Sequence, residues 1–254
     1  MSFQWRLVAS ISALVVVGGC MPISLGQSAS TDDVTPSTST IAPIAPTPMA
    51  SLNVNGFESR AVAAAQSVPT GTFALVITTG MVGGDLTLRY SGAYDVRDTT
   101  ASRCRLDGTQ NGQALTLIVV GDKLYTKAGT GKYALSSVSS SVTKLGLATV
   151  RPDLPTLVEL IGSSVRGLTD IGPATVNGLA VEHWRAVVDA SAFAPSASGT
   201  TTADLWLDST DLLRQVSYSL TSGGTAASTT TVTVTYGDFN SSVDIAEPEP
   251  SEVR

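Results

Sequence analysis

The sequence predicts an α+β fold in which helices cover one face of a single large, twisted antiparallel sheet. Apolar and polar residues alternate with a period of two in many short segments, so each of these strands has one apolar face. In the middle of the chain, apolar residues recur at helical spacing instead. Charged residues make up only 14% of the chain, and Thr, Ser, Ala, Val, Leu and Gly dominate, which is typical of a β-rich extracytoplasmic protein.

The folded region is predicted to begin with one helix that is followed by strands. The helix covers about 57–67, is capped by Asn53 or Asn55, and is ended by Pro69. Alternating apolar residues predict the next strands, at 72–79, 85–90, 101–106, 113–120 and 123–127. Turn signals separate these segments at Asp107-Gly108, Asn111-Gly112, Gly121-Asp122 and Gly129-Thr130-Gly131.

The middle of the chain, about 137–163, is predicted to be helical and to lie across the open face of the sheet. A first short apolar stripe consists of Val138, Val142, Leu145 and Leu147. A second stripe, ended by Gly162, consists of Leu154, Leu157, Val158, Leu160 and Ile161. Strands then resume at 165–171, 180–189, 202–208, 212–220 and 228–236.

The N-terminus resembles the signal peptide of a bacterial lipoprotein. An apolar run from Leu7 to Val17 is followed by Gly18-Gly19-Cys20, and Arg6 is the only basic side chain before it. The run is too short for a membrane span, which takes about 20 apolar residues. We therefore predict that residues 1–19 are removed and that Cys20 carries palmitate-like acyl chains. An uncleaved anchor helix and an ordinary signal peptide cut elsewhere are the alternatives.

The remaining chain divides by composition. Residues 20–52 contain the lipidated cysteine and a Ser/Thr/Pro-rich tether, which we expect to be disordered. Residues 53–246 are predicted to form one domain. Residues 247–254 form an acidic tail with two prolines, which we expect to be frayed.

Composition and motifs argue against several classes of function. A formal net charge of −6 disfavours nucleic-acid binding, which needs clustered Lys and Arg. One histidine, His183, and one free cysteine cannot build a zinc site, and the sequence contains no serine bracketed by glycines as G-x-S-x-G, the pattern of a nucleophilic serine. Asp208 and Asp211 fall at a hairpin turn, where carboxylates cap the backbone. We therefore expect no catalytic residues, no metal, no cofactor and no enzymatic activity.

Two side chains have alternative interpretations. Cys104 lies between Arg103 and Arg105, which could lower the pKa of an exposed thiol, or it is a small apolar side chain on a strand. His183 lies mid-strand and is interpreted as a partly exposed strand residue, because the sequence supplies no triad around it.

Several segments, taken in order, resemble the LppX/LprG group of actinobacterial lipoproteins, whose domain is similar to the LolA/LolB carriers. After the cysteine and tether come Gly84-Asp85-Leu86-Thr87 and the hairpin over 119–127. The strand over 177–190 contains Gly178, His183, Val188 and Asp189 in the spacing of the family motif. Leu205-Trp206-Leu207-Asp208 and Tyr236-Gly237-Asp238-Phe239 complete a match over residues 55–247.

This resemblance implies a half-barrel sheet whose helices enclose an apolar cavity for acyl chains. Function would then be the binding and transfer of envelope lipids, such as acylglycerols, complex lipids or lipoglycans, by a monomer on the extracytoplasmic face of the cell membrane. A membrane lipid transporter would be its partner. Strand parity and the second helical stripe select the expected cavity lining: Leu75, Ile77, Leu86, Leu88, Leu115, Leu117, Leu157, Leu160 and Ile161.

A second hypothesis gives the same fold a filled core. The protein would then be an envelope lipoprotein that acts as a sensor or an assembly partner of another protein. A large apolar void would favour the carrier, and a packed core would favour the partner-binding protein.

Overall fold

The computed structural model describes residues 53–80, 85–110, 112–139, 151–194, 197–222 and 228–254. Its dominant feature is an antiparallel sheet of eleven strands in the order β6-β5-β4-β3-β2-β1-β11-β10-β9-β8-β7. Strands β1 and β11 pair in the centre and join two meanders, β1–β6 and β7–β11. The sheet is an open, twisted half-barrel, which confirms the predicted α+β class.

Ten of the strands follow the predicted segments, with different ends, whereas β6 was not predicted as a strand. Their bounds are β1 Thr70–Thr79, β2 Leu86–Asp95, β3 Arg103–Gln110, β4 Gln113–Val120, β5 Lys123–Ala128, β6 Ala134–Ser137, β7 Val165–Val176, β8 Leu179–Asp189, β9 Thr200–Leu207, β10 Leu213–Ser222 and β11 Ser228–Gly237. Strands β2 and β7 are each longer than their alternation predicts, because glycines interrupt the pattern without ending the strand.

Three helices accompany the sheet within the described residues. Helix α1, Val54–Gln66, starts at Asn53, whose side chain accepts a hydrogen bond from the Gly56 N–H at 2.8 Å. Helix α2, Leu154–Ser164, starts at Asp153, which accepts from the Thr156 N–H at 3.0 Å. Helix α2 leads directly into β7, and α3 is the single turn Ala190–Phe193.

The helices lie on one face of the sheet, here called the inner face. Helix α1 packs against α2 and contacts β7, and α2 contacts β8. Their buried side chains, such as Phe57, Leu157 and Ile161, join inward-facing strand residues, such as Leu205 and Val234, in one core cluster. Most strands therefore have a more buried inner face and a largely polar outer face, as the alternation predicts.

Other details also differ from the sequence prediction. Asp107-Gly108 is not a turn, because both residues lie inside β3. Gly162 does not end α2 but lies within it, beside Glu58 of α1. Of the first helical stripe, Val138 is buried, while Val142, Leu145 and Leu147 lie outside the described residues.

The C-terminal segment is not frayed but lies along the outer face of the sheet. Ile245 is buried in a second apolar cluster with Ile118, Val120, Tyr125 and Tyr133. Glu247 accepts a hydrogen bond from the Tyr125 hydroxyl at 2.8 Å and from Lys123 Nζ at 3.0 Å. Val253 forms a parallel bridge with Tyr133. One buried apolar side chain and a few polar contacts hold this C-terminal segment in place. So few contacts leave no clear pattern in the sequence, which is why the segment is not predicted to be ordered.

We expect Ile245→Ala to destabilise the domain by about 2–4 kcal/mol, because it removes a nearly buried side chain and leaves a void. Urea unfolding of this variant and of Ser242→Ala measures the effect. Ser242 is exposed on the same segment, so its substitution should stay within about 0.5 kcal/mol of wild type. Equal stability of both variants would show that the packing of Ile245 contributes nothing to the fold.

Candidate functional site

An apolar surface on the inner face is only half-buried. Its members lie on β1, β2 and β4, towards the end of the sheet where β1 ends and β2 begins. We call it the open apolar surface and define it as Ile77, Leu86, Leu88, Tyr90, Leu115 and Leu117.

Strand register makes this surface continuous. Leu88 pairs with Ile77 across β1 and β2, and Leu86 pairs with Thr79. Ile77, Tyr90 and Leu117 contact the core cluster, whereas Leu86 and Leu88 are not part of that packing. The surface therefore begins at the core and extends beyond it.

Glycines on the inner face let aromatic rings lie flat against the sheet. Gly71, Gly92 and Gly108 pair directly with Tyr94, Phe73 and Tyr90, respectively. A Cβ atom at Gly108 would lie 2.2 Å from Cδ1 of Tyr90, so this ring covers the glycine. A flat ring leaves free the space that an upright one would fill, and at Tyr90 that space adjoins the open apolar surface.

The structure separates the predicted lining residues into two groups. Leu75, Leu157 and Ile161 are buried in the core cluster, with at most 1% of each exposed. The half-buried group consists of Ile77, Leu86, Leu88, Leu115, Leu117 and Leu160. Leu160 lies on α2 and the others on the open apolar surface. Sequence reasoning left Tyr90 out of the lining, although Tyr90 shares the strand parity of Leu86 and Leu88.

Two grooves lie away from these residues. One of about 620 Å³ is on the outer face, where Arg105, Asp107, Asn177 and Asp238 surround a floor of small side chains. The other, of about 380 Å³, lies beside Ser102, Asp122 and Arg151. Neither is lined by a residue of the predicted cavity, and their charged walls do not suit an acyl chain.

A buried polar group holds the start of α2 against the sheet. Asp153 is 1% exposed, and its second carboxylate oxygen faces Arg151 Nε at 3.4 Å. Arg151 also donates to the Ser102 hydroxyl, and the Tyr236 hydroxyl donates to the Pro152 carbonyl at 2.9 Å. These contacts fix one end of α2 at β3 and β11, while its other end continues into β7.

Cys104 is a buried side chain of β3, with 1% exposed, and it faces the core. Burial raises the pKa of its thiol well above the ordinary value, and the nearby Asp153 carboxylate adds to the effect. The alternative of a thiol activated by neighbouring arginines is therefore wrong.

We expect the Cys104 thiol to remain unmodified by an aromatic disulfide reagent at pH 8 while the protein is folded. In urea above the unfolding transition, it should react within seconds to minutes. Spectrophotometric titration of the released thiolate in both conditions checks this, and rapid labelling of the folded protein would contradict the assigned burial.

His183 lies on β8 and points to the outer face. Its Nε2 is 2.9 Å from Asp204 Oδ1, and its ring stacks on Trp206 with the ring centroids 4.6 Å apart. Arg185 also donates to Asp204 Oδ1 at 2.9 Å. These contacts describe a partly exposed strand residue in a polar cluster, as the sequence predicts.

Within the described ranges, no group of three His, Cys, Asp or Glu side chains is placed to hold a metal ion. The same part of the chain contains no helix with the length and apolarity needed to cross a membrane. The predicted signal peptide, Cys20 and tether lie outside the described residues.

Comparison with known proteins rests on structure. Neither a family model nor a curated protein matches the sequence. The crystal structure of LprF from Mycobacterium bovis aligns with a TM-score of 0.53 and 13% identity, covering 77% of this chain and 96% of that one. That of the lipoprotein LppX from Mycobacterium tuberculosis aligns with a TM-score of 0.52 and 17% identity, covering 76% and 98%. The resemblance seen in the sequence is thereby confirmed for the fold: this chain has the half-barrel fold of the mycobacterial proteins LppX and LprF.

Proposed function

We propose that this protein is an extracytoplasmic lipoprotein of the LppX/LprG type, anchored by acyl chains on Cys20, which binds the acyl chains of envelope lipids. The open apolar surface is the observation that carries the proposal. It is a continuous group of large apolar side chains that the described helices leave half-exposed on the face where the core lies.

Burial energetics support acyl chains as the ligand. Each methylene removed from water contributes about 0.8 kcal/mol, so a long chain needs few polar contacts to bind. The charged grooves elsewhere offer no such environment. The fold is shared with LppX and LprF, and the family resemblance in the sequence implies the same class of ligand. Transfer of the lipid to another envelope component, and the absence of any catalytic activity, are part of the proposal.

A matched pair of variants tests the site. Leu88→Trp places a large ring on the open apolar surface, whereas Thr87→Trp places the same ring on the outer face of the same strand, where Thr87 is exposed. Binding of radiolabelled monopalmitoylglycerol to the full-length protein in detergent is measured against protein-free micelles. We expect Leu88→Trp to weaken binding about tenfold or more and Thr87→Trp to leave it unchanged.

Equal binding by both variants would show that acyl chains do not use the open apolar surface. The second candidate, a partner-binding lipoprotein with a filled core, is favoured by one observation: Leu75, Leu157 and Ile161 are packed in the core. Failure of the wild-type protein to bind any acyl probe would support that candidate.

A further inference from the structure

We infer that the Tyr90 hydroxyl is the polar contact that recognises an ester carbonyl at the head of a bound acyl chain. The inference rests on the proposed function and adds to it a residue that determines specificity. It arises from a polar group that the apolar environment of the site does not explain.

Tyr90 belongs to the open apolar surface, and its position there is well defined. Its ring lies flat on Gly108, contacts the core cluster, and pairs across the strands with Leu75. Leu115 follows Gly108 in the same row on β4. Tyr90 is half-buried among these apolar neighbours, and this burial raises the pKa of its phenol.

The hydroxyl of Tyr90 has no hydrogen-bond partner among the described residues. Other inner-face tyrosines do have one: Tyr94 donates to the Val68 carbonyl at 3.2 Å, and Tyr236 donates to the Pro152 carbonyl at 2.9 Å. Both bonds show the pairing that a phenol hydroxyl adopts on this face, namely donation to a carbonyl oxygen. A half-buried phenol without such a partner can donate to a ligand.

Tyr218 is the other inner-face tyrosine whose hydroxyl is unpartnered within the described part of the chain. Its ring is 2% exposed and is stacked on Phe193 of α3, with the centroids 3.9 Å apart. The open apolar surface does not include it. Tyr218 is therefore the matched control for Tyr90, since the same substitution removes an unpaired hydroxyl from a covered position.

The chemistry of the ligand follows from the donor. A phenol beside large aliphatic side chains suits a long chain that ends in a hydrogen-bond acceptor without charge. An ester carbonyl between an acyl chain and its head group is such an acceptor. The described strand neighbours of Tyr90 on this face, Leu75, Leu88 and Gly108, carry no charge, which argues against a free carboxylate at this point.

Two ligands that differ only at this group test the inference. Monopalmitoylglycerol carries the carbonyl, and hexadecylglycerol ether has the same chain length and head group without it. Both are measured on the full-length wild type, Tyr90→Phe and Tyr218→Phe in detergent. We expect the wild type to prefer the ester by about 2- to 10-fold, the effect of one uncharged hydrogen bond.

Tyr90→Phe should abolish this preference by weakening only ester binding, and Tyr218→Phe should retain it. Phenylalanine keeps the ring on Gly108, and thermal unfolding checks that the variant is folded. An unchanged preference in Tyr90→Phe, or its loss in Tyr218→Phe instead, would overturn the inference while leaving acyl binding established. Failure of both ligands to bind wild type would overturn the inference and the proposed function together.

Discussion

Asp208→Ala should destabilise the domain by about 3–5 kcal/mol, the largest effect that we expect from one substitution. Asp208 is 5% exposed, at the end of β9. It accepts hydrogen bonds from the N–H and hydroxyl of Thr210 at 2.8 and 2.6 Å, and from Arg214 Nε at 2.7 Å. Truncation leaves the half-buried Arg214 without its counter-charge and the β9–β10 turn without its cap.

The destabilisation caused by Asp208→Ala should depend on pH. Burial alone would raise the pKa of Asp208, but the hydrogen bonds from Thr210 and the Arg214 charge outweigh it and hold this pKa below its usual range. Because the pKa of Asp208 is lower in the folded state, the charged carboxylate stabilises the fold at pH values above the ordinary Asp pKa. This stabilisation is lost as the pH falls through the pKa of the folded state. The stability gap between wild type and Asp208→Ala should therefore narrow at low pH.

Urea unfolding of wild type and Asp208→Ala at pH 7 and at about pH 3 measures the loss of stability and its dependence on pH. Asp189→Ala is the control, because Asp189 pairs with Arg166, which is largely exposed, and should contribute at most about 1 kcal/mol. A loss in Asp208→Ala no greater than in Asp189→Ala would contradict the role assigned to the turn.

Gly92→Ala should cost about 3 kcal/mol, near the upper end for inserting a methyl group into a packed interior. The new Cβ would lie 2.1 Å from the Arg105 carbonyl oxygen and 2.4 Å from Cζ of Phe73. The carbonyl belongs to the neighbouring strand, so relief requires a distortion of the β2–β3 ladder, where Gly92 pairs with Leu106.

Gly167→Ala on β7 is the matched control for this prediction. A Cβ there meets no atom within 4 Å, so the substitution should be neutral or should stabilise the protein by about 0.4–1 kcal/mol through a less flexible unfolded chain. Thermal and urea unfolding measure the stability of both variants. The difference between them separates the steric cost at Gly92 from the effect that any Gly→Ala substitution has on the unfolded chain. Equal stability of the two would show that Phe73 does not need the space above Gly92.

The sequence alone predicts most of the sheet, because burial of one face imposes a period of two on every strand. Gln113–Val120 is placed correctly by its Leu115, Leu117 and Val119 alternation. The turn predicted at Asp107-Gly108 is wrong, because this glycine makes room for the Tyr90 ring above it, which local sequence does not reveal.

The candidate site is predicted only in part, for a physical reason. Strand parity identifies which side chains face inward, and the structure places all the predicted strand residues on that face. Strand parity cannot distinguish Leu75, which the core covers, from Leu88, which stays half-buried, because the path of the helices decides which inward-facing side chains are covered. Tyr90 has a signal in its shared parity, but its unpaired hydroxyl is visible only once its neighbours are placed.

Native mass spectrometry of the full-length protein, purified gently from its membrane fraction, tests the central claim most directly. The account predicts a non-covalent adduct with the mass of an acyl lipid, recovered by solvent extraction in near-stoichiometric amount and lost in Leu88→Trp but not in Thr87→Trp. A mass that shows no adduct, and that stays unchanged after incubation with envelope lipids, would contradict it.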